Sequence, residues 1–150
     1  MQNVKNDILT AGLRKQESII ADFRQRINDV MLGEGSSRKE DYDNFHQTFS
    51  PESLAEVNIL NNEVEFANHE LEEMKRIDCN HFHNQAEYGS IVKTDRKTFF
   101  VAASLEDFDA GGRQYFGISV NSPIYFAMKG KKAGEHFKTR NVEYVIEEIY

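Results

Sequence analysis

Two carboxylates stand three positions apart in the run Glu40-Asp41-Tyr42-Asp43-Asn44, a Glu-x-x-Asp-Asn pattern. Where the backbone is helical, positions three apart share a face, so Glu40 and Asp43 can point at one ion. Carboxylate oxygens suit a hard cation, but such a cation takes about six oxygens, so two acids supplement a site rather than build one. Glu34 and Asp41 are spare acids nearby. The plainer alternative is an exposed loop that is acidic because loops often are.

Other constellations offer less. Cys79-Asn80-His81-Phe82-His83 places a thiol and two imidazoles close together, but they alternate along an extended segment with no fourth ligand at a known spacing, so the segment reads as an interdomain linker with no intrinsic metal. Lys129, Lys131 and Lys132 form a basic loop that suits a solvated turn as well as a partner. His46, His69 and His136 are isolated. Gly111-Gly112 is a turn rather than a phosphate loop, because no Gly-Lys-Ser/Thr follows, and Asp107 and Asp109 beside it read as loop acids.

The acid pair falls between two long helical patterns. Residues 5 to 32 contain no Pro and one Gly, Gly12. Leu9, Leu13, Gln16, Ile20, Phe23, Ile27 and Val30 follow at alternating steps of four and three, a heptad seam with Gln16 its one polar member. A second helix opens at Ser50-Pro51-Glu52, where Ser suits the N-cap, Pro the first helical position and Glu the positive helix end. Its seam is Val57, Leu60, Val64, Ala67, Leu71 and Met74. Two narrow seams are best satisfied by each other, as an antiparallel hairpin; a helix of 28 residues is about 42 Å long, so the pair makes a prong. From Glu52 to Glu73 the second helix carries seven acids and no base, which Arg14, Lys15, Arg24 and Arg26 can flank. Gly33-Glu34-Gly35-Ser36-Ser37 reads as a flexible break, and the helical spacing of Tyr42, Phe45 and Phe49 predicts a short helix near residues 38–47.

After Ile77 the period changes. Residues 90–94 and 98–103 read as strands around an Asp95-Arg96-Lys97 turn; 115–120, 135–139 and 143–150 give three more. Ser122-Pro123 starts a short helix that ends at Gly130. The expected class is α+β: a coiled-coil hairpin over residues 1–79, then a mostly antiparallel sheet domain with a short helix over 80–150.

Composition narrows the function classes. The chain has 150 residues, net charge −7 and one cysteine, so an intrachain disulfide is excluded and a cytoplasmic location is expected. No apolar run approaches the length of a membrane span. Residues 1–77 carry 9 Lys/Arg against 15 Asp/Glu and residues 78–150 carry 9 against 10, so the acidity lies in the first half. Such a chain repels phosphates and suits a basic protein surface or a metal ion better than free nucleic acid.

Ile118-Ser119-Val120-Asn121-Ser122-Pro123-Ile124, then Ala127-Met128 and Gly130-Lys131-Lys132-Ala133-Gly134-Glu135, resembles the C-terminal domain of the GreA/GreB transcript cleavage factors. Tyr88-Gly89-Ser90-Ile91-Val92 is similar to that family's first strand, and Ile149-Tyr150 to its closing one. The resemblance covers residues 88–150 by motif and 5–77 by architecture. It implies an FKBP-like C-terminal domain that docks on RNA polymerase beside the secondary channel, and a prong that enters it. Glu40 and Asp43 would then supplement a magnesium ion supplied in the polymerase active centre, which activates water and steadies phosphoryl oxygens. The family's tip reads Asp-x-x-Glu-Asn, so the acids are exchanged here; Arg38 and Lys39 stand beside them, and Ser50-Pro51 interrupts where the family helix runs on.

The resulting expectation is an elongation factor, a monomer without activity of its own, that stimulates cleavage of backtracked transcripts and meets nucleic acid only within the transcription complex. Ser119, Asn121, Ser122 and Pro123 are its expected polymerase contacts. The alternatives are a channel-occupying regulator that does not stimulate cleavage, a coiled-coil interaction module, and a peptidyl-prolyl isomerase, which the absence of Trp disfavours.

Overall fold

A computed structural model describes residues 2–36 and 50–150. The expected helix near 38–47, and with it Glu40, Asp41 and Asp43, lies outside the described residues.

The heptad seams become helices α1 (Gln2–Ser36) and α2 (Pro51–Lys75). Helix α1 runs on through Gly33 and Gly35 to Ser36, where a flexible break was expected. Two glycines at a helix end cost only about 1 kcal/mol each relative to Ala, too little to stop a helix of this length. Helix α2 starts as its sequence dictates. Ser50 Oγ accepts the Ser53 amide at 3.1 Å, and the Ser50 carbonyl accepts the Leu54 amide at 3.0 Å. It closes on tightened bonds from the Arg76 and Ile77 amides to the Glu73 and Met74 carbonyls.

The chain divides into two compact units: Met1–Gln16 with Glu70–Tyr150, and Glu17–His69. The start of α1 thus shares a unit with the end of α2, and the end of α1 with the start of α2, which is antiparallel order. Within Glu17–His69, Ile20, Leu60 and Ala67 are buried, while Phe23, Ile27, Val30, Val57 and Val64 are half-buried and most positions between them are exposed. The expected seam is therefore the face that packs. Of the four bases expected along α2, Arg26 lies over the ring of Phe23 on its own helix, 5.7 Å from the centroid.

The other unit is built on a six-stranded sheet of order β3-β4-β2-β1-β6-β5, with β1 (Ile91–Thr94), β2 (Thr98–Val101), β3 (Glu106–Ala110), β4 (Arg113–Ile118), β5 (His136–Thr139) and β6 (Val142–Ile149). Every neighbouring pair is antiparallel except β2 and β4, which run parallel with Phe100 opposite Gly117. Strand β3 corrects the sequence reading, which took Asp107 and Asp109 for loop acids. Its three acids, Glu106, Asp107 and Asp109, are exposed and only Phe108 is buried, so the strand shows a single buried apolar residue. The two-residue Gly111-Gly112 turn, with φ +58° and +78°, joins it to β4 in the positive-φ geometry that hairpins favour. The third expected strand shifts to Arg113–Ile118, releasing Ser119 and Val120 into a turn.

Alternation along the strands makes two apolar faces. Val92, Phe99, Val101, Ile118, Tyr144 and Ile146 pack with Tyr125 and Met128 of a short helix α3 (Pro123–Met128). Phe100 and Leu105, on the other face, meet α1 at Gly12. A Cβ at Gly12 would lie 3.1 Å from the Phe100 ring and 3.4 Å from Leu105, so the absent side chain is what lets the helix approach the sheet. The architecture is α+β: long N-terminal helices, then a mostly antiparallel sheet with a short helix.

Candidate functional site

The residues expected to contact a partner form one rigid turn between β4 and α3. Ser119 Oγ accepts the Asn121 amide at 3.1 Å. Ser122 Oγ donates to the Ser119 carbonyl at 2.7 Å and accepts the Tyr125 amide at 3.3 Å, which makes it the N-cap of α3. Pro123 follows at the first helical position, where it has no N–H to lose. Ser119 and Ser122 are half-buried because their hydroxyls are spent on the turn; Asn121 and Pro123 are exposed. Each Ser thus shapes the loop, and Asn121 and Pro123 present the surface.

That turn forms one wall of a groove of about 330 Å³. Phe99 and Tyr144 line it from β2 and β6, with ring centroids 5.8 Å apart and nearly perpendicular. Tyr144 is also stacked on Phe137, at 4.9 Å and 8°. Lys97 and Arg140 bring positive charge to the lining, and Lys97 Nζ sits 4.3 Å above the Phe116 ring. An apolar lining with two cations and few other polar groups suits an apolar group flanked by acid. Lys97, Phe99, Arg140 and Tyr144 escape sequence reasoning because they come from separate strand ends, and no spacing in the chain announces that they converge. Arg140 is held by a turn in which it and Asn141 both have positive φ, +51° and +63°.

Of the tip acids, Glu40, Asp41 and Asp43 lie outside the described residues; α1 and α2 deliver the two ends of the chain that carries them. The Cys79–His83 segment follows α2. Burial pushes the Cys79 thiol up, so it is a poor nucleophile near neutrality. Lys129, Lys131 and Lys132 stand after α3. Among the described residues, no helix is long and apolar enough to cross a membrane.

No protein-family model and no curated protein matches this chain. Among solved structures, that of the transcription factor Gfh1 is similar over 93% of this chain and 94% of that one, at 17% identity and a TM-score of 0.34.

Proposed function

We propose that this chain is an RNA polymerase-binding transcription elongation factor of the GreA/GreB kind. The sheet domain docks through the groove beside Ser119–Pro123, and the helical hairpin carries Glu40 and Asp43 toward the polymerase active centre. The observation that carries this reading is the Ser122-capped, Pro123-initiated start of α3, because the resemblance rests on the same residues and they wall a groove with an aromatic lining. Magnesium stays the polymerase's ion. The factor adds two carboxylates that would help hold that ion, which would activate the attacking water and neutralise charge developing on the phosphoryl oxygens. A second reading, a channel-occupying regulator without cleavage stimulation, is favoured by Arg38 and Lys39, which place positive charge next to the acids.

Pull-down with core RNA polymerase from the same organism tests the docking, and cleavage of backtracked RNA tests the chemistry. Association at low salt with stimulated cleavage supports the first reading, and association without cleavage the second. Absence of association overturns both.

A further inference from the structure

The loop between α2 and β1 brings a carboxylate to the two histidines that the sequence left without a further ligand. His81, His83 and Glu87 offer ligand atoms that all lie within 4.8 Å of one another. His83 Nδ1 and Glu87 Oε1 are 2.6 Å apart, and the His81 and His83 rings meet edge-on with centroids 4.6 Å apart. His81 and His83 line a cavity of about 400 Å³ together with Glu73, Asp78, Tyr88 and Gly89.

We propose that His81, His83 and Glu87 bind a divalent transition ion of the zinc class. Two imidazoles and one carboxylate select such an ion over calcium or magnesium, which prefer all-oxygen shells. Ligand atoms around tetrahedral zinc stand about 3.3 Å apart, given bonds of roughly 2.0–2.1 Å. The present spacing brackets that value: the His83–Glu87 pair must open by less than about 1 Å and His81, which is exposed and free to turn, must close by about 1.5 Å.

His83 Nδ1 and Glu87 Oε1 already face one another across the position the ion would take. With the ion at Nδ1, the single imidazole proton resides on Nε2. Lys5 and Arg76 add positive charge nearby; Glu73 and Asp78 on the cavity wall offset it.

Three protein ligands leave a fourth position open. The Tyr88 hydroxyl on the same cavity is buried and has no hydrogen-bond partner among the described residues, so a metal-bound water filling the cavity would supply one. The ion would clamp the segment that leaves α2 to the residues that enter β1. This site stands independently of the polymerase reading.

The test uses the full chain, stripped with chelator, titrated with zinc by calorimetry and with cobalt by visible absorption. One ion per chain is expected, with cobalt bands of tetrahedral intensity. His81→Ala and Glu87→Gln should each weaken binding at least about tenfold. His69→Ala, His136→Ala and Cys79→Ser should leave it unchanged. His81 is exposed, so its replacement removes a ligand without opening the core. Absence of stoichiometric binding by the wild type, or wild-type affinity in His81→Ala, overturns the site. Loss of a cobalt–thiolate band in Cys79→Ser would overturn the assignment of Glu87 as the third ligand.

Discussion

The Nζ of Lys5 donates to the main-chain carbonyl of His81 at 2.8 Å, tying the first turns of α1 to the loop after α2 across 76 positions of sequence. Lys5 is 1% exposed, and burial lowers its pKa below 10.5 against the opposing pull of Cys79, Asp78 and Glu87. Lys5→Ala loses the packed stem and the bond together and should cost about 2–4 kcal/mol in urea unfolding at pH 7. Lys5→Met keeps the stem and should cost less. A lowered folded pKa means that the unfolded chain binds more protons just below pH 10.5, so this residue's contribution to stability rises with pH there. The stability difference between wild type and Lys5→Met should therefore grow in favour of the wild type from pH 7 toward pH 10. A difference flat in pH would refute the buried ammonium.

Alkaline stability should then reverse. Burial pushes both Tyr88 and Tyr150 up to about 12, helped by Glu73 and Glu70 around Tyr88 and by Tyr115 and Glu148 around Tyr150. An unfolded phenol releases its proton near pH 10, so the folded state holds the extra protons between pH 10 and about 12 and loses stability as pH rises through that window. Ultraviolet titration should show two phenols ionising only as the protein unfolds. Tyr88→Phe, which also removes the unpartnered hydroxyl, should flatten part of the pH dependence.

Ser122→Ala removes the cap of a six-residue helix and the link to the Ser119 carbonyl. The expected loss is about 0.5–2 kcal/mol in thermal or urea unfolding, with the sheet intact. Polymerase binding should weaken because Pro123 is no longer held at the groove wall and Asn121 beside it is no longer fixed. A folded Ser122→Ala protein that binds polymerase as the wild type does would remove this turn from the docking surface.

Charge reversal at the groove tests what it recognises. Lys97→Glu and Arg140→Glu should each reduce polymerase binding and blunt its salt dependence, because both cations line the groove. Equilibrium binding at two ionic strengths separates this from a loss of fold, which circular dichroism would register.

At the tip the order of three mutants is the readout. Glu40→Ala and Asp43→Ala should abolish factor-dependent cleavage of backtracked RNA and leave polymerase binding nearly unchanged. Asp41→Ala should be milder, since in a helix it faces about 100° away from Glu40. A damaging Asp41→Ala with a silent Asp43→Ala would sink the pairing of the two acids.

Both long helices were legible because heptad seams repeat a signal over many turns, and one Gly cannot mask it. Ser50-Pro51 and Ser122-Pro123 were legible because a cap is a local chemical event. Strand β3 was not, since Phe108 alone faces inward and its flanking acids look like a loop. The parallel β2–β4 pairing was also hidden, as was the close approach of the segment after β2 to Gly117, where a Cβ would lie 2.5 Å from that of Leu105. Of the candidate sites, the turn at Ser119–Pro123 could be read, whereas the groove lining and the meeting of Glu87 with His81 and His83 required the fold. Spacing reports neighbours along a regular element; the groove residues meet only across elements, and Glu87 meets His81 and His83 through the path of an irregular loop.

The division of the chain has a bearing on how the protein is made. One compact unit is assembled from residues 1–16 and 70–150, while residues 17–69 form the other. During synthesis the hairpin can pair as soon as its second helix has emerged, whereas the first turns of α1 must wait for the sheet they cover. Strand β1 waits longest, because the Ile91 amide and carbonyl are both satisfied by Tyr150. The nascent chain therefore carries Ile8 uncovered until β3 and β4 have emerged, and its folding should be limited by these distant closures rather than by helix formation.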